Sequence, residues 1–528
     1  MIQDKNIIGY STSAKSGNSF KAFSPATGLA IDPPFYIADA SEIDEALTKA
    51  EEAFIQYRKI GKDKKADFLE KIAEEILEAG DELIARAVLE TGLPEGRIIG
   101  ERGRTVGQLR LFASTVREGS WVEASIDTAQ PDREPLPKPD LRKMLMPLGP
   151  VVVFTASNFP LAFSTAGGDT ASALAAGNPV IVKCHESHPG TNAIVASCIV
   201  SAARKTGMPD GVFSSLNGQG NALGQALVSD PRTQAVAFTG SYGGGKALYD
   251  LAAKRETPIP VFAEMGSINP VFLFPNHLKN NADSIAKNYA GSITLGSGQF
   301  CTNPGLILGI EGEDLNQFIQ SLIREIENIA PQTMLNQGIY ENYNKNLKAA
   351  LAQQGVTLEI RKQDDTVHYG GQPTIASVTG DTFLKNKNLY HEVFGPYSLV
   401  VKCRNMHELI AISKSLKGQL TTTVMCDNTD ISESIEALNS IEEIAGRILF
   451  NGVPTGVEVC HSMHHGGPFP ATTDSRFTSV GTDAIKRFVR PLCWQNTPEV
   501  LLPYELKNHN PEGIWRKIDG NLTQSAIE

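Results

Sequence analysis

The chain has 528 residues, 41% hydrophobic and 20% charged, enough apolar content to bury a large core spread over two or three domains. A formal charge of −11, with no basic run longer than "KDKK" at 62–65, argues against nucleic acid or an anionic membrane as partner and favours small-molecule chemistry. No segment approaches the roughly 18 apolar residues of a membrane span, and the N-terminus has no basic start followed by an apolar core, so a cytoplasmic location is the default expectation.

In chain order, 41–91 reads as amphipathic helix, with apolar residues recurring every three or four positions and Ser41 as its opening cap. After the Pro-rich break "DTAQPDREPLPKPD" at 127–140 the pattern changes to short β-rich runs. Strands are expected at 149–156, 179–184, 212–218, 235–241 and 259–266, with helices at 164–177, 190–207, 222–230 and 244–254 between them. Short apolar strands separated by helices predict a parallel sheet covered on both faces, with its ligand at the carboxyl ends of the strands. A second α/β region is expected over 267–470 and a last strand within "RFVRPLCWQNTP" at 487–498. A polar tail over 505–528 has the composition of a partly mobile segment.

The informative residues sit at those strand ends. "FTASNFP" puts Asn158 just past one strand, and "VKCHESHPGTN" puts Lys183 at the end of the next. "FTGSYGGG" sets Gly240 and Ser241 ahead of a helix, and "FAEMGS" puts Glu264 at another strand end. "GSYGGGK" fits neither the P-loop spacing nor GxGxxG, and a plain turn accounts for it equally well. Lys183 with Glu186 reads either as a surface pair or as a hold on ribose hydroxyls. Glu264, in apolar surroundings, reads as a general base whose pKa burial raises, or as a structural, hydrogen-bonded carboxylate. Seven cysteines, at 184, 198, 301, 403, 426, 460 and 493, form no CxxC pattern and are expected as reduced thiols. Cys301, in "GSGQFCTNPG", is either core filler or a nucleophile. Gly296, Gly298 and Gly305 would let the backbone there wrap closely around a substrate.

Six stretches, "FTASNFP", "VKCHESHPGTN", "FTGS", "FAEMGSINPVF", "GQFCTNPG" and "EVFGP" (392–396), stand in the order and spacing of the aldehyde dehydrogenase superfamily, which the chain resembles over nearly its whole length. The resemblance implies an α/β fold with a Rossmann-type cofactor domain (1–119 with 149–266), an α/β catalytic domain (267–470) and a small β oligomerisation module (120–148 with 484–504). It implies a homodimer or homotetramer acting on a small-molecule aldehyde. Cys301 resembles the family's nucleophile, which passes through a thiohemiacetal and a thioester. Asn158 and the Cys301 backbone N–H match the oxyanion hole, and Glu264 matches the residue that activates the hydrolytic water. Lys183 matches a hold on the adenosine ribose, Gly240 and Ser241 on the pyrophosphate, Glu392 on the nicotinamide ribose, and Phe394 an apolar wall beside the nicotinamide. Glu186 and Asn221 stand where the family's NAD-preferring members differ from NADP-preferring ones, so NAD is favoured, with NADP as the alternative.

Within the superfamily, "GERGRTVGQLRLFA" (100–113), "KCHESHPGTN" and "GVEVCHSMHHGGPFPATTDSRFTSVGT" look most like the α-ketoglutaric semialdehyde (2,5-dioxovalerate) dehydrogenase group. Such a substrate needs a cation at its far end, and Arg102, Arg104 and Arg110 fall at helical spacing that would present one or two inward. Surface or interface arginines are the plainer account. "HSMHH" at 461–465 suggests a metal, but it lacks HExxH and any accompanying Cys or acid ligands, so a pocket wall is expected and no metal. The alternatives are an enzyme of long-chain or other aliphatic aldehydes, and a non-catalytic structural or binding member of the family.

Overall fold

Apolar residues spaced by three and four between 40 and 118 form four helices, Ala40–Tyr57, Lys62–Glu78, Gly80–Thr91 and Glu95–Glu118, in the computed structural model, which describes residues 2–527. Met1 and Glu528, at the outer ends of the first and last expected segments, lie outside the described residues. The first helix is capped by Asp39 and not by Ser41. The Asp39 carboxylate accepts the Glu42 N–H at 2.9 Å while the Glu42 carboxylate accepts the Asp39 N–H at 2.9 Å. Ser41 already lies inside the first turn and donates its hydroxyl to Asp39.

All five expected strands form, each trimmed at its ends: Val151–Phe154, Val180–Lys183, Phe213–Leu216, Ala235–Thr239 and Val261–Glu264. They run parallel, and two short N-terminal strands, Asn6–Ile8 and Ser11–Ser13, complete a seven-stranded sheet on one edge. The first strand in sequence, Val151–Phe154, sits between Val180–Lys183 and Ala235–Thr239. The strand order therefore reverses there and opens a crevice beyond the carboxyl ends, the usual ligand position of such sheets. The trimming has the same cause, since Asn158 and Gly240 lie in chain that has already left the ladder to border that crevice.

A second seven-stranded sheet is centred on Leu306–Ile310, with Val271–Leu273, Gln419–Met425 and Ala445–Phe450 to one side and Tyr397–Cys403, Thr374–Thr379 and Thr357–Arg361 to the other. Its strands are parallel except for the Thr357–Arg361 edge. A third sheet joins Val489–Gln495, Leu141–Pro147, Ser125–Asp127, Arg516–Ile518 and Asn521–Thr523. Among the described residues no helix is long and apolar enough to cross a membrane.

The last two of those strands belong to the segment expected as a polar tail, which instead extends the sheet. Arg516 explains why composition misleads here: the side chain is wholly buried, and its guanidinium donates to the carbonyls of Glu505, Lys507, Asn508 and Ser525. Charged N–H to carbonyl bonds fold this segment where apolar burial is sparse. Replacing Arg516 by Met leaves those carbonyls unpaired at a local cost of about 3 kcal/mol. Faster amide hydrogen exchange across 516–523, with unchanged protection in the Val151–Phe154 strand, is the expected readout.

Candidate active site

Besides Asn221, nine residues singled out from sequence line one cleft of about 1160 Å³: Asn158, Lys183, Glu186, Gly240, Ser241, Glu264, Cys301, Glu392 and Phe394. The first six come from the carboxyl side of the first sheet. Cys301, Glu392 and Phe394 come from loops that lead into the Leu306–Ile310 and Tyr397–Cys403 strands of the second. The cleft is thus the seam between the two sheets.

One end of the cleft has the makings of a dinucleotide site. Ser241 caps the helix Tyr242–Ala253, accepting the Gly244 N–H at 3.2 Å, and the helix presents its N-terminal amides to the cleft. Lys183 has no carboxylate within ion-pair distance among the described residues, and burial lowers its pKa. It forms no surface pair with Glu186, whose carboxylate instead accepts the Gly220 N–H at 3.2 Å. Glu392 is pushed up to about 7 by burial, with the Ser267 backbone N–H as its donor. A Cβ on Gly266 would stand 2.4 Å from the Glu392 carboxylate, so glycine is required for that carboxylate to lie where it does. A free ammonium, a helix N-terminus and a carboxylate short of donors, strung along one crevice, fit two riboses and a pyrophosphate.

The other end holds the reactive groups. The Asn158 side-chain amide donates to the Gln299 carbonyl at 3.1 Å, which brings it beside the cysteine loop. Asn269, at φ 46°, donates to the Cys301 carbonyl at 2.8 Å and the Asn303 carbonyl at 2.9 Å, pinning that loop from behind. The three glycines serve packing of chain on chain and not clearance for substrate. A Cβ on Gly298 (φ 65°) would come within 2.3 Å of the Gly395 carbonyl. On Gly296 it would meet the Phe300 ring at 3.0 Å, and on Gly305 the Ile268 carbonyl at 3.3 Å. Sequence marks where the backbone is crowded without saying by what.

Glu264 differs from the expectation in its charge. His465 Nε2 lies 3.0 Å from its Oε1, and the Ser479 hydroxyl donates to its Oε2 at 2.7 Å. Burial alone would raise this carboxyl, but the His465 imidazole and these hydrogen bonds outweigh it and hold the group below the usual carboxylate range. The same His465 nitrogen lies 3.5 Å from Cys301 Sγ. Burial first, and the Glu264 charge second, push the Cys301 thiol well above its ordinary value. The resting group is therefore a protonated thiol beside an ionised carboxylate, and the proton must leave as the sulfur reacts.

Sequence reasoning passed over His465, taking "HSMHH" as wall. The histidine arrives because the following chain zips onto the Val261–Glu264 strand. Met265 N–H donates to the Ala471 carbonyl at 2.8 Å and Thr473 N–H to the Ala263 carbonyl at 3.1 Å. No local pattern announces pairing across 200 residues. The adjacent histidines in "HHGG" were the available signal.

Of the three arginines, one faces the reactive end. Arg102 donates to the Gly80 carbonyl at 3.2 Å, and Arg110 is exposed. The Arg104 guanidinium lies 4.9 Å from the Phe163 ring centre, and that ring lies 6.3 Å from His465. Arg104 Nε and Nη2 are buried without a hydrogen-bond partner among the described residues. Arg447, on the Ala445–Phe450 strand, was not anticipated. It spends Nη2 on the Pro454 and Gly456 carbonyls and turns Nη1 toward Met463 Sδ, 3.9 Å away. Phe159, Phe163, Phe300 and Val480 form an apolar cluster at this end, with Met463 packed against it.

Comparison with known proteins gives the family and the fold. A model of the aldehyde dehydrogenase family matches residues 11–479. α-Ketoglutaric semialdehyde dehydrogenase 2 of Azospirillum brasilense is 51% identical over 97% of this chain and 98% of its own. α-Ketoglutaric semialdehyde dehydrogenase of Acinetobacter baylyi is 47% identical over 93% of each. In fold, betaine aldehyde dehydrogenase of Staphylococcus aureus in complex with NAD+ superimposes with a TM-score of 0.80 at 18% identity, covering 95% of this chain and 96% of that one. With the family model spanning most of its length and two relatives near half identity from end to end, the chain belongs to the aldehyde dehydrogenase family.

Proposed function

We propose that this aldehyde dehydrogenase oxidises α-ketoglutaric semialdehyde (2,5-dioxopentanoate) to 2-oxoglutarate with NAD+, NADP+ being the weaker cofactor. The observation that carries the reading is Arg104, whose Nε and Nη2 are buried without a hydrogen-bond partner among the described residues, standing by the aromatic wall of the Cys301, His465 and Glu264 cluster. An unpaired buried cation is costly, and a substrate carboxylate offsets that cost. The two relatives of about half identity carry the same substrate in their names.

The chemistry follows from the geometry. As the aldehyde carbon meets Cys301 Sγ, the thiol proton passes to the Glu264 carboxylate, within 4.8 Å of the sulfur and held by His465 Nε2 at 3.0 Å, and from there to solvent, which leaves Glu264 ionised again. The oxyanion of the resulting thiohemiacetal is held by the Asn158 amide and by the Cys301 backbone N–H, which has no other acceptor among the described residues. A nicotinamide held between Glu392 and Phe394 would supply the acceptor for the hydride that leaves the former aldehyde carbon, which would leave a thioester on Cys301. Glu264, kept ionised by His465, then takes a proton from water as that water attacks the thioester, releasing the acid and restoring the thiol. Lys183 and Glu392 hold the two riboses, and Glu186 meets a 2′-hydroxyl better than a 2′-phosphate, which would face like charge. Phe394 walls the nicotinamide. The third sheet is the surface through which copies of the chain pair as a dimer or tetramer, and the enzyme works in the cytoplasm.

A second reading, an enzyme of aliphatic aldehydes, draws on the apolar cluster of Phe159, Phe163 and Phe300. Comparing kcat/KM for 2,5-dioxopentanoate and hexanal with NAD+ separates the two. The semialdehyde should win, and Arg104→Met should lower its kcat/KM by about 100-fold, roughly 2.7 kcal/mol, while sparing hexanal. A preference for hexanal by an order of magnitude overturns the reading. Because burial lifts Glu392 to about 7, its neutral form is the stable one below that pH in the free enzyme. KM for NAD+ should therefore rise by about tenfold between roughly pH 8 and pH 6, and the rise should vanish in Glu392→Gln. The same raised pKa means Glu392 adds stability at acid pH that is lost as pH climbs from the ordinary carboxylate range through about 7.

A further inference from the structure

A metal was set aside from sequence because "HSMHH" lacks HExxH and forms no set of metal-ligand spacing with Cys or acid residues. The fold supplies both. Cys301 Sγ lies 3.5 Å from His465 Nε2, and His465 Nε2 lies 3.0 Å from Glu264 Oε1. All three donor atoms fall within 4.8 Å of one another, with Glu264 and His465 buried. Zinc bonded to sulfur at about 2.3 Å and to nitrogen and oxygen at about 2.0–2.1 Å in a tetrahedron sets its ligand atoms about 3.3–3.6 Å apart. Two sides of the triangle are already close to that size, and the sulfur–carboxylate side, within 4.8 Å, closes with a side-chain shift of about 1 Å.

We propose that Cys301, His465 and Glu264 form a binding site for a thiophilic divalent cation of the zinc type, with the fourth tetrahedral position opening on the cleft. The donor set selects the ion. Thiolate and imidazole suit zinc, cadmium and cobalt(II), whereas magnesium and calcium prefer all-oxygen ligands. Charge also balances: a thiolate and a carboxylate neutralise the dication, so the buried complex carries no net charge. Binding replaces the S–H bond by an S–metal bond and sends one proton to solvent. The imidazole offers the Nε2 lone pair, any proton there shifting to Nδ1, which has no hydrogen-bond partner among the described residues. Arg104, stacked on Phe163, adds a nearby positive charge that tempers the affinity. A bound ion occupies the sulfur and the carboxylate together, so it switches the enzyme off reversibly. That inhibitory consequence rests on the catalytic roles proposed above, but the binding itself does not.

The test titrates the chelator-treated, full-length chain with Co2+ and follows the near-ultraviolet thiolate-to-cobalt absorption, which reports the sulfur whether or not any aldehyde is turned over. One Co2+ per chain is expected, displaced by Zn2+, with release of about one proton per ion. Cys301→Ser should abolish the band, and His465→Phe, His465→Gln and Glu264→Gln should each weaken binding by about tenfold or more. Cys493→Ser and Cys460→Ser should leave it intact, since Cys493 is exposed and neither thiol belongs to the cluster. Circular dichroism of each variant separates loss of ligand from loss of fold. With the best aldehyde found, Zn2+ should inhibit and chelator should restore the rate. A band that survives with unchanged affinity in folded His465 and Glu264 variants, or that disappears with Cys493, overturns the proposal. Absence of dehydrogenase activity alongside an intact cobalt site would instead overturn the functional reading alone.

Discussion

The Glu264 carboxylate is the contact on which the rest of the site depends. It is buried at the end of a strand of the first sheet, and a buried carboxylate must be partnered or become neutral. Its partners come from far along the chain, His465 on one oxygen and Ser479 on the other. Meeting that electrostatic demand docks the segment that follows the second sheet onto the first. The same docking delivers an imidazole to the Cys301 thiol. One burial cost thus fixes the relation of the Glu264 carboxylate to the Cys301 thiol and keeps the carboxylate ionised.

The nucleophile loop is held by a different means, crowding. Asn269 bonds two carbonyls of the loop, and its own side-chain oxygen accepts from Ser267 at 3.0 Å and Thr421 at 2.9 Å, so the loop is tied to the second sheet through one side chain. Gly298 presses on the Gly395 carbonyl, three residues from Glu392, so the loop bearing the thiol and the loop bearing a candidate ribose ligand are in direct backbone contact. The positions of Cys301 and Glu392 are therefore coupled by packing. The guanidinium of Arg97 adds to this, lying 4.5 Å from the Phe159 ring and 5.1 Å from the Phe300 ring, neighbours in sequence of Asn158 and Cys301.

Much of this was legible in the chain itself. Strands of four or five apolar residues separated by helices report a parallel sheet because burial on both faces leaves no polar alternation. Strand-end polar residues report a ligand crevice because the ladder ends where the side chains must turn to face it. The signs of the pKa shifts were not legible. Glu264 in "PVFAEMGS" reads as a carboxylate raised by burial, and only the imidazole from position 465 reverses the direction. Likewise the Arg516 segment reads as loose because its residues are polar, and only its carbonyl clamp makes it part of a sheet.

The sequence by itself determined the periodicities, the family motifs and the candidate groups those motifs name, since these are properties of residue type and local spacing. Tertiary structure alone decided which charges face each other: that Arg104 and not Arg102 or Arg110 turns toward the thiol, that His465 stands beside both Cys301 and Glu264, and that burial and the Glu264 charge push the thiol above its ordinary value. Electrostatic energies depend on distance and burial through space, and residues 201 positions apart in the chain and 3.0 Å apart in the fold have no shared signature in one dimension.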